Sequence, residues 1–196
     1  MRILHTIGPV ASDALLGTAR WQADQKCHVV LATPRAAPLA EAGRAAGLTL
    51  EPHSFEARGA GREALYLRAA VRRHNIEVIH AHDEASSLHV VLCADLCPII
   101  RTVDKAEATR LVEAAEGPLA FDHLVVDSAA TRDRLVKAEL ATPEHITVLT
   151  GAAEARMARL LDGYERAIVR SLTGRVIPAR FVGGRPELRR APIAAE

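Results

Sequence analysis

The chain has 196 residues, and its 25 Lys and Arg nearly balance its 24 Asp and Glu, which leaves a formal net charge of +1. This length fits one domain, and the charge lacks the basic excess typical of nucleic-acid binders, so we expect no nucleic-acid partner. No apolar run reaches the ~20 residues that a membrane-spanning helix needs, and the N-terminus has no signal-peptide pattern. We therefore expect a cytoplasmic protein without a transmembrane segment; the arginines of its C-terminal tail leave open a peripheral location at the inner membrane face.

Predicted strands and helices alternate along the first 149 residues. Strands are predicted at residues 2–7, 27–33, 48–50, 78–81, 99–103, 123–126 and 146–149. Helices are predicted at residues 13–25, 39–46, 62–74, 84–96, 106–116 and 129–140. Ser12 and Ser128 are placed to cap the first and the last of these helices. Within the helix at 62–74, Leu65, Ala69 and Val71 form the predicted apolar side.

The alternation of strands and helices sets the expected fold class. The strands are largely continuous runs of Val, Ile and Leu, which indicates burial on both faces and hence parallel pairing. We predict an α/β fold in which a single Rossmann-like, doubly wound, mainly parallel sheet carries helices on both faces.

The alternation stops after residue 149, where one long helix is predicted at 155–172. Its apolar stripe must pack back on the preceding domain; the stripe consists of Leu160, Leu161, Tyr164, Ile168 and Leu172. We predict a domain at 1–151, this returning helical segment at 152–174 and a mobile tail at 175–196.

Cysteine usage gives no sign of a disulfide framework. Cys93 and Cys97 lie four residues apart near the end of a predicted helix, and Cys27 stands alone. No further ligands follow at the spacing of a metal site, so the pattern favours two small buried apolar side chains in a reducing compartment.

Residues 76–83, with the sequence I-E-V-I-H-A-H-D, form a short apolar strand that ends in three polar side chains. Groups just beyond the carboxyl end of a parallel strand line the crevice where ligands bind. His80 and His82 alternate along the strand and so point to one face. A metal ion would need a third ligand, such as Asp104 or His5; otherwise the two histidines hydrogen-bond to backbone, neighbouring side chains or sugar hydroxyls. We expect no metal and no cofactor.

Three polar residues at the starts of predicted helices have a structural explanation beside a functional one. Asp83, Asp104 and Ser128 each stand where an N-cap is expected. Asp104 would act as a general base only if burial raised its pKa toward neutrality. Ser128 has no G-x-S-x-G context, so it is not expected to be a nucleophile.

Several segments carry a resemblance to a known family. They are M-R-I-L-H-T-I-G at 1–8, H-A-H-D at 80–83, C-P-I-I-R-T-V-D at 97–104, D-H-L-V-V-D-S-A-A-T-R-D-R-L at 122–135 and I-T-V-L-T-G at 146–151. In this order they resemble the N-terminal, acceptor-side domain of a family-4 glycosyltransferase of the GT-B fold. The helix around Y-E-R-A at 164–167 is similar to the last helix of such enzymes, which crosses back onto the first domain.

The chain also departs from that family's pattern. The resemblance implies a second domain that holds the nucleotide sugar through a helix N-terminus and two glutamates, and no stretch here is long enough for it. The first loop, usually glycine-rich, keeps only Gly8 and Ser12 as a remnant of a donor loop. The histidine of the family's T-x-H pattern is replaced by Asp104. We therefore expect a truncated enzyme that is inactive alone.

The resemblance implies that His80, His82, Asp83 and Ser128 bind substrate and that Asp104 is the catalytic base. The expected ligands are a nucleotide sugar or a sugar acceptor, and the expected partner is a second copy in a homodimer or a chain that supplies the donor domain. The alternative is a non-catalytic binding or assembly module derived from a glycosyltransferase, because an uncovered apolar cleft favours association. A small-molecule-binding Rossmann-like protein is disfavoured because no G-x-G-x-x-G follows the first strand.

Overall fold

The computed structural model describes residues 1–9, 13–55, 60–114 and 119–173. The chain divides into two compact units, Met1–Arg101 and Thr102–Glu196. No described helix is both long enough and apolar enough to cross a membrane. Ser12 and the tail at 175–196 lie outside the described residues.

The first unit alternates strands and helices. Its elements are β1 Arg2–Thr6, α1 Asp13–Asp24, β2 His28–Thr33, α2 Pro38–Ala45, β3 Thr49–Pro52, α3 Ala60–Arg73, β4 Val78–Ala81 and α4 Glu84–Val90. The strand β5, Ile99–Val103, carries the chain into the second unit. The strand order is β3-β2-β1-β4-β5 and every pair whose register is defined is parallel. All four residues of β4 are buried, as expected for a strand covered on both faces. The predicted α/β fold class is confirmed.

The strand order reverses between β1 and β4, and this positions the candidate site. From β1 the chain moves outward through β2 and β3, then returns to place β4 on the other side of β1. In the register of β1 and β4, His5 is opposite His80 and Thr6 is opposite Ala81. The backbone N–H of His82 donates to the carbonyl of Thr6, 3.0 Å away. A ligand crevice is expected at such a reversal, outside the carboxyl ends of the strands.

The second unit contains α5 Lys105–Ala114, β6 His123–Val126, α6 Ala129–Lys137, β7 Ile146–Val148 and α7 Ala153–Leu172. The strands β6 and β7 pair in parallel, and α7 packs against both of them. The predicted return of the long helix is therefore confirmed. Its buried residues are Leu160, Gly163, Tyr164 and Ala167.

The helix α7 buries a narrower stripe than the sequence predicted. Leu161 and Ile168 are half-buried, and Leu172, in the last helical position, is 82% exposed. Gly163 and Ala167 take their place because small side chains let α7 approach the sheet: a Cβ on Gly163 would lie 2.7 Å from Thr147 Oγ1.

Two other predictions about helices were wrong. The predicted helix at 84–96 ends at Val90 and is followed by a 3₁₀ turn, Val91–Cys93. On α3, Leu65 is 66% exposed and Ala69 is also exposed. The buried face of α3 consists instead of Ala64, Leu67, Ala70 and Val71.

The predicted burial of Cys93 and Cys97 is confirmed. Cys93 and Cys97 are buried, and all three cysteines are free thiols. Burial raises the pKa of the Cys93 thiol to about 12, so it is protonated and unreactive at neutral pH.

Candidate functional site

Three histidines meet at the carboxyl ends of β1 and β4. His5 and His80 are buried, and His82, one residue beyond β4, is half-buried. The ring centroids of His80 and His82 are 4.0 Å apart, and those of His5 and His82 are 5.1 Å apart. The expectation that His80 and His82 point to one face is correct, and the structure adds His5 to them.

Hydrogen bonds fix the proton positions in part of this cluster. His5 Nε2 lies 2.7 Å from Gln22 Oε1, a carbonyl oxygen that only accepts, so His5 carries its proton on Nε2. His5 Nδ1 then accepts from His82 Nε2 at 2.8 Å. Gln22, fully buried on α1, thereby sets which nitrogen of His5 faces the cluster.

Burial keeps these imidazoles neutral. It lowers the pKa of His5 from 6.5 to about 4, partly offset by the hydrogen bond to Gln22. Burial also lowers the pKa of His82 well below 6.5, and the neighbouring His5 lowers it further. A charged imidazole is disfavoured wherever water is excluded. At pH 7 both rings therefore offer one donor and one acceptor each.

Asp83 connects the two strand ends. One oxygen, Oδ1, accepts from the Ser86 backbone N–H at 2.7 Å, so Asp83 caps α4 as the sequence predicted. Its other oxygen, Oδ2, accepts from the Gly8 backbone N–H at 2.6 Å. The Ser86 hydroxyl donates to the Thr6 carbonyl, 3.1 Å away. A Cβ on Gly8 would lie 3.0 Å from Asp83 Oδ2, so glycine allows this close contact.

The Gly8 contact bears on the predicted donor-loop remnant. In phosphate-binding loops the backbone N–H groups point at the ligand. Here the Gly8 N–H is directed to Asp83, which uses it to join the end of β1 to the start of α4. Ser12, the other member of the predicted remnant, lies outside the described residues.

Asp104 and Ser128 lie in the second unit and both cap helices. Asp104 Oδ1 accepts from the Glu107 backbone N–H at 2.7 Å, at the start of α5. Ser128 accepts from the Thr131 backbone N–H at 3.2 Å, at the start of α6. Asp104 is exposed. The catalytic role predicted for Asp104 and the substrate contact predicted for Ser128 stay predictions.

A pocket of about 380 Å³ lies in the first unit, beside the carboxyl ends of β2 and β3. Its polar lining comes from Arg35, Glu51, His53, Glu63 and Arg73, and its apolar lining includes Leu67. The His53 ring stacks on Phe55, with 4.1 Å between centroids. The lining includes both cationic and anionic side chains, which suits a small polar ligand.

Phe55 adjoins this pocket in an uncommon backbone conformation. Its φ is +52°, a value that a bulky residue adopts rarely and at some energetic cost. The ring is buried and also meets His89 edge-on at 5.6 Å between centroids. Such strain is often found at ligand sites.

The sequence pattern did not point to Gln22, Ser86 or the pocket. One signal for Gln22 was present: it continues the helical spacing of the buried Leu15, Thr18 and Ala19 on α1, and a polar residue in such a stripe needs a buried partner. Ser86 and the pocket carry no comparable signal, because they depend on contacts between elements far apart in sequence.

Comparisons with known proteins agree with this architecture. The sequence profile described as Glycosyltransferase Family 4 matches residues 14–152. A search of curated proteins finds no match.

Solved structures resemble the chain at low sequence identity, so they show the fold alone. A glycosyltransferase from Rickettsia africae matches with a TM-score of 0.57 and 10% identity over 84% of this chain and 49% of that one. Anabaena HepE in complex with UDP-glucose matches with a TM-score of 0.56 and 12% identity, over 83% and 50%. A Listeria monocytogenes protein assigned as a UDP-N-acetylglucosamine 2-epimerase matches with a TM-score of 0.56 and 12% identity, over 81% and 47%.

The chain thus spans about half the length of each of these structures. The family match covers more than half of the chain and includes β2 to β7, together with the H-A-H-D segment. The chain belongs to the glycosyltransferase 4 family.

Proposed function

We propose that this chain is the acceptor-side part of a sugar-transferring enzyme, and that its first unit binds a sugar-bearing acceptor at the carboxyl edge of the β1–β4 region. The observation that carries the proposal is the cluster of polar side chains at the strand-order reversal. His82 and Asp83 lie there beside the buried His5 and His80.

Chemistry at this edge suits a sugar hydroxyl. The Nε2–H of neutral His82 already donates to His5, so its Nδ1 is the nitrogen that can accept a hydrogen bond from a sugar hydroxyl. His82 is half-buried and lies one residue beyond the end of β4. The nearby pocket adds cationic and anionic groups from Arg35, Glu51 and Arg73, which can bind further hydroxyls or a charged substituent.

Sugar transfer also needs a donor. Matched structures are about twice as long, and HepE was solved with UDP-glucose. We therefore propose that the nucleotide sugar is bound by another chain or by a second copy of this one. Asp104 is exposed at the start of α5 and lacks the burial that a base role requires, so we carry its assignment as the base over from the family resemblance alone.

Acceptor binding is tested by saturation-transfer NMR of the 196-residue chain with methyl glycosides of glucose, galactose, mannose and N-acetylglucosamine. We expect magnetisation transfer to at least one of them, its loss in His82→Ala, and its retention in Leu172→Ala, an exposed control. No transfer to any of the four sugars, or equal transfer in His82→Ala, would contradict the proposal.

The base assignment needs the complete enzyme. In an assembly that transfers sugar, Asp104→Asn should lower kcat by about 10²–10⁴-fold, which is the usual contribution of a general base. The helix cap should persist, because asparagine also caps well. An unchanged kcat would remove Asp104 as the base.

A second candidate function, a non-catalytic assembly module, is favoured by exposed apolar side chains. Leu65 on α3, Leu88 on α4 and Leu92 in the 3₁₀ turn are exposed, and α3 packs against both of the other elements. Grouped exposed leucines often mark an interface. Light scattering measures the molar mass in solution. A wild-type dimer that Leu65→Glu or Leu88→Glu converts to a monomer would support this function. A wild-type monomer would oppose it.

A further inference from the structure

The three histidines at the ends of β1 and β4 have the composition of a metal site. One nitrogen of each ring lies within 4.8 Å of a nitrogen from each of the other two rings. We propose that His5, His80 and His82 bind one zinc ion, with the fourth coordination position open on the solvent side of His82. This proposal stands independently of sugar binding, and its test uses the metal alone.

The geometry of the closest pair is near that of two ligands on one ion. Zinc binds imidazole nitrogen at about 2.0–2.1 Å, so two nitrogens on a tetrahedral ion lie about 3.3 Å apart. His5 Nδ1 and His82 Nε2 are 2.8 Å apart in the described structure. Zinc binding requires His82 to carry its proton on Nδ1 instead of Nε2 and the two rings to separate by about 0.5 Å. Half-buried His82 lies just beyond the end of β4.

Gln22 supplies the outer contact that a zinc-bound histidine usually has. Metal-bound imidazoles commonly donate their second ring N–H to an oxygen, which orients the ring. His5 Nε2 donates to Gln22 Oε1 at 2.7 Å, deep in the core. The unprotonated Nδ1 of His5 therefore points at His82 before any ion binds.

The donor set selects the class of ion. Three imidazoles without a carboxylate suit zinc and related transition ions, whereas magnesium and calcium require oxygen ligands. The nearest carboxylate in sequence, Asp83, accepts from the Gly8 and Ser86 N–H groups instead. Three protein ligands with one open position are the arrangement of zinc sites that bind a water or substrate oxygen.

The test is a titration of the untagged, chelator-treated 196-residue chain with zinc by calorimetry and with cobalt(II) by visible spectroscopy. We expect one ion per chain and the intense visible absorption of tetrahedral cobalt. His82→Ala should abolish both. His28→Ala, which removes an exposed histidine at the start of β2, should change neither.

Gln22→Ala gives a graded result. It leaves all three ligands in place and should weaken zinc binding by about 10–100-fold, as expected for loss of an orienting contact. An unchanged affinity would contradict the role of Gln22.

Histidine-selective ¹⁵N NMR of the wild-type chain makes the test independent of how the variants fold. Zinc should shift the ring nitrogens of three of the nine histidines together. Three results would overturn the proposal and leave a hydrogen-bonded cluster. They are no saturable zinc binding, a cobalt spectrum of octahedral coordination, or zinc affinity of His82→Ala equal to that of the wild type.

Discussion

Two buried histidine sites in this protein differ in what their rings face. In the first unit, His5 meets two other histidines at the carboxyl ends of β1 and β4, and its Nε2 donates to Gln22 on the other side of the ring. In the second unit, His123 is enclosed between β7 and α7. Burial lowers the pKa of both, so a lowered pKa by itself does not distinguish a ligand site from a packing site.

The contacts of His123 are those of a packing site. Its Nε2 donates to Thr147 Oγ1 at 2.7 Å, and its Nδ1 accepts from Arg170 Nη2 at 2.9 Å. Arg170 also donates to the Asp122 carbonyl. The Nε2 of His123 thus joins β6 to β7 and its Nδ1 joins β6 to α7. In the cluster around His5, the rings instead face each other where the strands end. The position of the partners, rather than burial, indicates function.

The largest expected effect concerns the packing site. Tyr164 on α7 is fully buried, so Tyr164→Ala should lower the free energy of unfolding by about 3–5 kcal/mol, through lost burial and a cavity. Chemical denaturation measures this. Leu172→Ala on the same helix should change stability by less than about 0.5 kcal/mol. Similar losses in both variants would mean that α7 does not pack as described.

A matched glycine pair tests the close approach of α7. At Gly163 a Cβ would lie 2.7 Å from Thr147 Oγ1 and 3.3 Å from His123 Nε2, whereas nothing lies within 4 Å at Gly17 on α1. Gly163→Ala should destabilise by about 1–3 kcal/mol through overpacking. Gly17→Ala should stabilise by about 0.5–1 kcal/mol. Stabilisation by both substitutions, measured by urea unfolding, would contradict the described contact.

The pH dependence of stability should report on His123. Burial, with Arg170, Arg166 and His145 nearby, lowers the pKa of His123 to about 3, while in the unfolded chain it is near 6.5. Between pH 6.5 and 3 the unfolded state therefore binds the proton and the folded state does not. Stability should be retained above pH 6.5 and fall below it, with a slope of up to about 1.4 kcal/mol per pH unit from this residue.

His123→Gln is the variant that isolates this effect. It should lower stability at pH 7 yet give a shallower fall between pH 6.5 and 3, because the titrating group is gone. His28→Gln at an exposed position is the control and should leave the slope unchanged. An unchanged slope in His123→Gln would show that His123 is not held neutral.

A moderate loss of stability is expected at the carboxyl ends of β1 and β4. Asp83→Ala removes the cap of α4 and the acceptor for Gly8 N–H and should cost about 1–2 kcal/mol. Asp83→Asn retains one capping oxygen and should cost less. Thermal unfolding of both variants measures the difference, and equal losses would mean that the Gly8 contact, not the cap, dominates.

The sequence predicted the fold well where the pattern is local. The strands β4, β5 and β6 begin and end at the predicted residues, since each is a short apolar run bounded by polar or turn residues. The caps at Asp83 and Ser128 were also predictable, because capping depends on a few neighbouring residues.

Predictions that depend on distant contacts succeeded less often. The exposed side of α3 was misassigned because Ala and Leu occur on both of its faces, so periodicity alone does not choose between Leu65 and Leu67. The close approach of Gly163 on α7 to Thr147 on β7 depends on how the helix packs against the sheet, which a local sequence pattern does not indicate. For the candidate site, His80, His82 and Asp83 follow from their position at and just beyond the end of β4. Gln22 and the register that brings His5 opposite His80 require the folded sheet.

Calorimetric titration of the 196-residue chain with UDP-glucose tests the central claim most directly. If the chain is the acceptor-side part of a transferase whose donor is bound elsewhere, UDP-glucose up to about 1 mM should give no saturable heat and no rise in Tm. Saturable binding of UDP-glucose by this chain alone, at one molecule per chain, would contradict the account.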